Sequence, residues 1–108
     1  MNTVGDIKIG RVNQTVPNYI SIRCDRKTAL GNPFYMANES QRIEVCNKFE
    51  AYLPEAYATD RVIRSEITNI AMHVESGQNV LLQCHCAPKR CHCDSIKSFV
   101  LNLINKPE

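Results

Sequence analysis

Tryptophan is absent, aromatic residues make up only 6 % of the chain, and no apolar run comes near the roughly 20 residues that span a bilayer. A membrane-spanning role is therefore not expected. The opening Met1-Asn2-Thr3-Val4-Gly5-Asp6 lacks both the basic and the apolar part of a secretory signal. Charge of one sign is also lacking: thirteen Lys plus Arg face eleven Asp plus Glu, a formal +2. That balance is too mild for the basic stripe of a general nucleic-acid binder. Repeats, linkers and low-complexity segments are not found. What remains is one domain over residues 1–108, large enough for a modest core and placed in reducing cytosol. In that compartment six cysteines point to metal, catalysis or reduced thiols rather than disulfides.

Taken in order, Ile7 and Ile9 alternate with Lys8 and Gly10 as in a half-exposed strand, and Tyr19-Ile20-Ser21-Ile22-Arg23 is a second strand rich in β-formers. Periodicity leaves open whether these two pair as a hairpin or sit apart. A long loop follows from Cys24 to Tyr35, punctuated by Gly31-Asn32-Pro33. Asn38 or Ser40 can cap a helix whose stripe is Ile43, Cys46, Phe49 and Leu53, with Pro54 ending or kinking it. Cys46 lies on that stripe and reads as core. Thr59 or Asp60 begins a second helix, with Val62, Ile63, Ile67, Ile70, Ala71 and Val74 on one face and Gly77 as its stop. His73 beside that face reads as a surface or satisfied residue. The order β-β-α-α-β-α predicts a small α/β layered domain, a short mixed or parallel sheet with packed helices.

The densest chemistry lies in Cys84-His85-Cys86-Ala87-Pro88-Lys89-Arg90-Cys91-His92-Cys93-Asp94, which holds four of the six cysteines. The apolar run Val80-Leu81-Leu82 precedes it and predicts an interior strand. Ile96, Phe99, Val100, Leu103 and Ile104 follow at helical spacing, so the segment is a strand-to-helix turn. Three chemistries compete there. Zinc could be held by Cys84, Cys86, Cys91 and Cys93, although neither pair has the commoner C-x-x-C spacing. Alternatively, Cys91 beside Arg90 at a helix start could be an activated thiol, with His92 carrying the proton and Asp94 orienting the imidazole or the substrate. A phosphate-bearing ligand could instead bind at the helix start, held by Lys89 and Arg90 and walled by Arg23, Arg26, Gly31 and Asn32.

Leu30-Gly31-Asn32-Pro33-Phe34 preceded by Arg26, together with Cys84-x-Cys86-x-Pro88-x-x-Cys91-His92-x-Asp94 before the last helix, resembles domain of unknown function 4326. The resemblance covers about residues 19–104. It departs at three positions: Thr28 stands for the usual serine, His85 for a common tryptophan and Cys93 for a small residue. This family occurs in bacteriophages and bacteria, and the resemblance implies a cytosolic α/β domain with both motifs in one pocket and no established reaction. The leading expectation is binding of a small nucleotide-like or phosphate-bearing molecule between the Gly31 turn and the Cys91 helix start. In a phage, this would suit an anti-defence role: sequestering a host signalling nucleotide in the host cytoplasm. The alternatives are an enzyme acting on a nucleotide or base through Cys91 and His92, and a zinc-stabilised module that binds a host protein. A homo-oligomer is compatible with any of the three.

Overall fold

The computed structural model describes residues 4–25, 28–31, 33–34, 37–84 and 91–105. Strand β1 spans Ile7–Arg11, β2 Tyr19–Arg23 and β3 Asn79–Cys84; helix α1 spans Arg42–Thr59, α2 Arg61–Glu75 and α3 His92–Asn105. The strands form one parallel sheet in the order β1-β3-β2, so the first two strands sit apart with β3 between them. Val80, Leu81 and Leu82 are fully buried, as expected of an interior strand. The fold is thus the expected α/β layer, with a wholly parallel sheet.

Registered residues of parallel strands point to the same face. Ile7 and Ile20 pair with Val80, and Ile9 and Ile22 with Leu82, building one apolar face. Ile67, Ile70 and Val74 of α2 join that core, as do Ile96 and Val100 of α3. Helix α1 packs against both, presenting Phe49, Leu53 and Ala56. Among the described residues no helix is long and apolar enough to cross a membrane.

Local signals set most element ends. Asn38 accepts from the Ser40 N–H and opens a 3₁₀ turn over Glu39–Gln41, which leads into α1. Asp60 caps α2, its Oδ1 accepting from the N–H groups of Val62 (2.9 Å) and Ile63 (3.2 Å). Gly77, at φ 95°, takes the left-handed conformation that closes α2. Three expectations need correction. Pro54 does not end α1, which continues to Thr59. Proline removes one helical hydrogen bond, but the buried Leu53 and Ala56 beside it keep their packing. Ile43 and Val62 are 65 % and 58 % exposed, because the buried face of α1 starts at Val45 and that of α2 at Ile63.

Candidate metal centre at the carboxyl edge of the sheet

All three strands of a parallel sheet end at one edge, and here that edge also receives the start of α3. β3 delivers Cys84 as its last residue, and α3 begins directly after Cys91. The Sγ atoms of Cys84, Cys91 and Cys93 lie within 4.8 Å of one another, with Cys84 and Cys91 only 3.0 Å apart. All three residues are buried. A tetrahedral zinc with Zn–S bonds of about 2.3 Å sets its sulfurs roughly 3.8 Å apart. Sulfurs that all lie within 4.8 Å of one another are close enough for one ion to reach all three with small side-chain adjustments. Cys86 and His85 lie outside the described residues, so three of the four cysteines expected to hold zinc are the ones seen together.

The strand-to-helix geometry explains how sequence neighbours converge. Cys84 sits on the face of β3 that carries Val80 and Leu82, turned toward the helices. Cys91 occupies the cap position of α3. Its N–H donates to Asp94 Oδ2 at 3.1 Å, and the Asp94 N–H donates back to the Cys91 carbonyl at 3.1 Å. This is the backward half of a capping box, with an acidic side chain at the positive end of the helix. Cys93, one turn position on, is fully buried against the other sulfurs.

The thiols shape one another's acidity. Cys91 is pushed up to about 12, first by its hydrogen bond with Cys84, with burial adding to the shift. Cys93 is raised as well, through contacts with the thiols of Cys24, Cys84 and Cys91 and through burial. A thiolate here would face other sulfurs in a dry site, so the protonated form wins unless a cation arrives. The lowered pKa expected of Cys91 from the helix dipole and Arg90 is thus outweighed by its sulfur neighbours. His92 is buried: its Nε2–H donates to the Cys24 carbonyl, and its ring meets Phe49 edge-on at 5.1 Å. Asp94 caps α3. The candidate catalytic residues Cys91, His92 and Asp94 thus stand at the start of α3, Cys91 among the sulfurs, His92 against Cys24 and Phe49, and Asp94 as the cap.

The expected ligand-binding residues are only partly within view. Arg26, Asn32, Lys89 and Arg90 lie outside the described residues. Arg23 forms an ion pair with the buried Asp25, while its side chain remains 44 % exposed. Thr28 winds the following turn: its hydroxyl donates to the carbonyls of Arg23 (3.2 Å) and Asp25 (3.1 Å), and its carbonyl accepts from the Gly31 N–H at 3.1 Å. Leu30 is buried, and Phe34 packs edge-on against Tyr52 at 5.6 Å. The Gly31 turn is therefore anchored to the core on both sides. Cys24, where the loop leaves β2, accepts from His92 through its carbonyl, which ties the root of that loop to the start of α3.

Sequence reasoning missed Cys24. It stands directly after β2, fully buried in the same core cluster as Cys84, Cys91 and Cys93. The available signal was a cysteine ending a β-rich run, the same placement as Cys84. The family model described as Domain of unknown function (DUF4326) matches residues 7–102. The match begins at β1, ahead of the span that the motifs alone marked out. No curated protein and no solved structure matches the chain.

Proposed function

We propose that this chain, which belongs to the Domain of unknown function (DUF4326) family, is a metal-binding domain whose cysteine turn takes up a thiophilic divalent ion, zinc by preference. One observation carries the reading: three buried thiols from two elements meet within 4.8 Å. Buried cysteines often pack as small hydrophobes, and Cys46, buried in α1, lies apart from this cluster. Packing alone gives no reason for three sulfurs to share one spot. Zinc has the affinity for thiolate and the indifference to geometry that such a set needs. Uptake would release the thiol protons and fix the strand-to-helix turn. The test is a native mass spectrum of protein purified without chelator. About one zinc per chain, lost in Cys84→Ser, is the expected result; a wild-type chain that neither retains zinc nor takes it up when supplied overturns the reading.

A second reading keeps the phosphate-bearing ligand. It is favoured by the parallel sheet, whose strand ends and α3 start form the kind of crevice where open α/β sheets bind ligands. Against it stand the Asp25 partner of Arg23 and the Asp94 carboxylate at the helix start. On this view the metal shapes the edge, and a nucleotide-like anion docks beside it. Nucleotides, cyclic dinucleotides and ADP-ribose-like compounds would be screened by thermal shift, where a ligand at 100 times its Kd adds about 2.7 kcal/mol. An unchanged melting point across that panel removes this reading and leaves the metal reading intact.

A further inference from the structure

We propose that Cys24 is the fourth ligand of the metal, which makes the site a closed tetrathiolate joining β2 to β3 and α3. The inference rests on the metal-binding reading above. It replaces the expected set of Cys84, Cys86, Cys91 and Cys93 with one whose members all lie among the described residues.

Register is the first argument. Arg23 pairs with Gln83 at the end of the β2–β3 ladder, and the Cys24 N–H continues that ladder by donating to the Gln83 carbonyl at 2.8 Å. One step further along the same register sets Cys24 beside Cys84. Adjacent strands lie about 4.8 Å apart, and registered side chains share a face, so the two thiols leave neighbouring backbones in the same direction. Contact is the second argument. The Cys24 carbonyl takes the His92 Nε2–H, which clamps the residue to α3 from the other side. Cys24 is fully buried among the same apolar residues as the other three. Its Sγ falls outside the set that is mutually within 4.8 Å, and it also makes a 3.7 Å contact with the Ile22 carbonyl. Ligation requires that weak S–H contact to be given up and the sulfur to swing inward.

The consequence is a choice between two kinds of zinc site. Three protein ligands leave a position for water or substrate, as in catalytic sites, whereas four close the shell and make the metal structural. With Cys24 bound, the ion staples the end of β2 to elements at least sixty residues away in sequence and fixes both motif loops at their roots. Binding converts each thiol to thiolate and releases its proton to solvent. The four thiolates displace the water molecules that the ion carries in solution.

Zinc X-ray absorption on the wild-type protein reads the shell directly, with Cys24→Ser and Cys86→Ser measured beside it. The expected result is four sulfurs in wild type and in Cys86→Ser. Cys24→Ser should show three sulfurs and one lighter atom, with zinc affinity at least tenfold lower. Cobalt loading gives a parallel signal, its sulfur charge-transfer absorbance falling by about a quarter in Cys24→Ser. Should Cys24→Ser fail to fold, the wild-type and Cys86→Ser spectra decide. Three sulfurs in wild type, a loss of one in Cys86→Ser, or four retained in Cys24→Ser overturns the assignment while leaving a metal site in place. A wild-type chain that takes up no zinc removes the metal reading itself, and this assignment with it.

Discussion

At the amino end of the sheet the Asp6 N–H donates to Asn79 Oδ1 at 2.8 Å, the Tyr19 hydroxyl donates to Asp6 Oδ2 at 2.7 Å, and the Gly5 N–H donates to the Val74 carbonyl at 2.7 Å. At the carboxyl end the corresponding place is taken by sulfur: Cys84 against Cys91, with Cys93 and Cys24 buried in the same cluster. The first edge is complete as it stands, because oxygen and nitrogen give full-strength hydrogen bonds among themselves. The second is held by weak S–H donors and acceptors and gains a strong interaction only when protons are exchanged for a cation. One end of a three-stranded sheet is therefore self-sufficient, and on the proposed reading the other is completed by a metal ion.

Metal removal probes that contrast most strongly. Free zinc at 1,000 times its Kd adds about 4.1 kcal/mol to stability, and at about 4–8 °C per kcal/mol for a domain of this size Tm should fall by roughly 15–30 °C on chelation. Differential scanning calorimetry of zinc-loaded and stripped protein measures it. An unchanged Tm after metal loss would mean that sulfur contacts alone suffice at the carboxyl edge, and the contrast would collapse.

Gly5→Ala strikes the opposite end. A Cβ there would sit 1.7 Å from the Gln78 carbonyl oxygen, a backbone atom that cannot swing aside, so the strand entry must shift. Overpacking of this kind costs about 1–3 kcal/mol. The loss should be equal in zinc-loaded and stripped protein, as read by urea denaturation. A loss that zinc abolishes would show the two edges to be coupled.

A smaller effect separates the edges by pH. In metal-free protein the Cys91 thiol is held up to about 12 against an ordinary 9.0. The folded state thus keeps a proton that the unfolded chain loses. Its contribution is fully present below about pH 9 and declines as pH rises toward 12. Alkaline melting curves of stripped protein should fall through that window, less steeply in Cys91→Ser. Equal slopes would mean that Cys91 is not the titrating group.

Which of these features could be read from the chain follows from the range of the forces involved. Strand β2 and the start of α3 were legible because they rest on local pattern: a run of β-formers, and an apolar run turning to 3.6-residue periodicity at Cys91. The Asp60 cap is likewise local. Ile43 and Val62 were misread because an apolar residue one position off the buried stripe fits the same window. The order β1-β3-β2 was not legible, since it depends on pairings some seventy residues apart. Cys24 was harder to read for the same reason: its neighbours come from β3 and α3, and its one local signal, a cysteine ending a β-rich run, says nothing of which strand lies beside it. Cys84, Cys91 and Cys93, three of the cysteines expected to hold zinc, could be read as a cluster because a single strand-to-helix turn carries them.

The weakest effect lies at the amino edge and tests whether that end is as independent as it looks. Tyr19 is half-buried, and its phenol pKa is raised above the usual 10, first by its hydrogen bond to Asp6 and then by desolvation and the Asp6 charge. The carboxylate stabilises the protonated phenol and opposes a second negative charge beside it. Lys8 sits 5.0 Å over the ring and does not reverse this direction. Asp6→Asn removes the negative charge and leaves only a neutral acceptor, so the Tyr19 titration should move down toward 10. Carbon NMR of the tyrosine rings can follow it separately from Tyr35, Tyr52 and Tyr57. Zinc stoichiometry and the cobalt spectrum should be the same in Asp6→Asn as in wild type, because no sulfur moves. A Tyr19 titration that does not shift would sink the Asp6 assignment. A changed cobalt spectrum would instead show that a hydrogen bond at one end of the sheet reaches the sulfurs at the other.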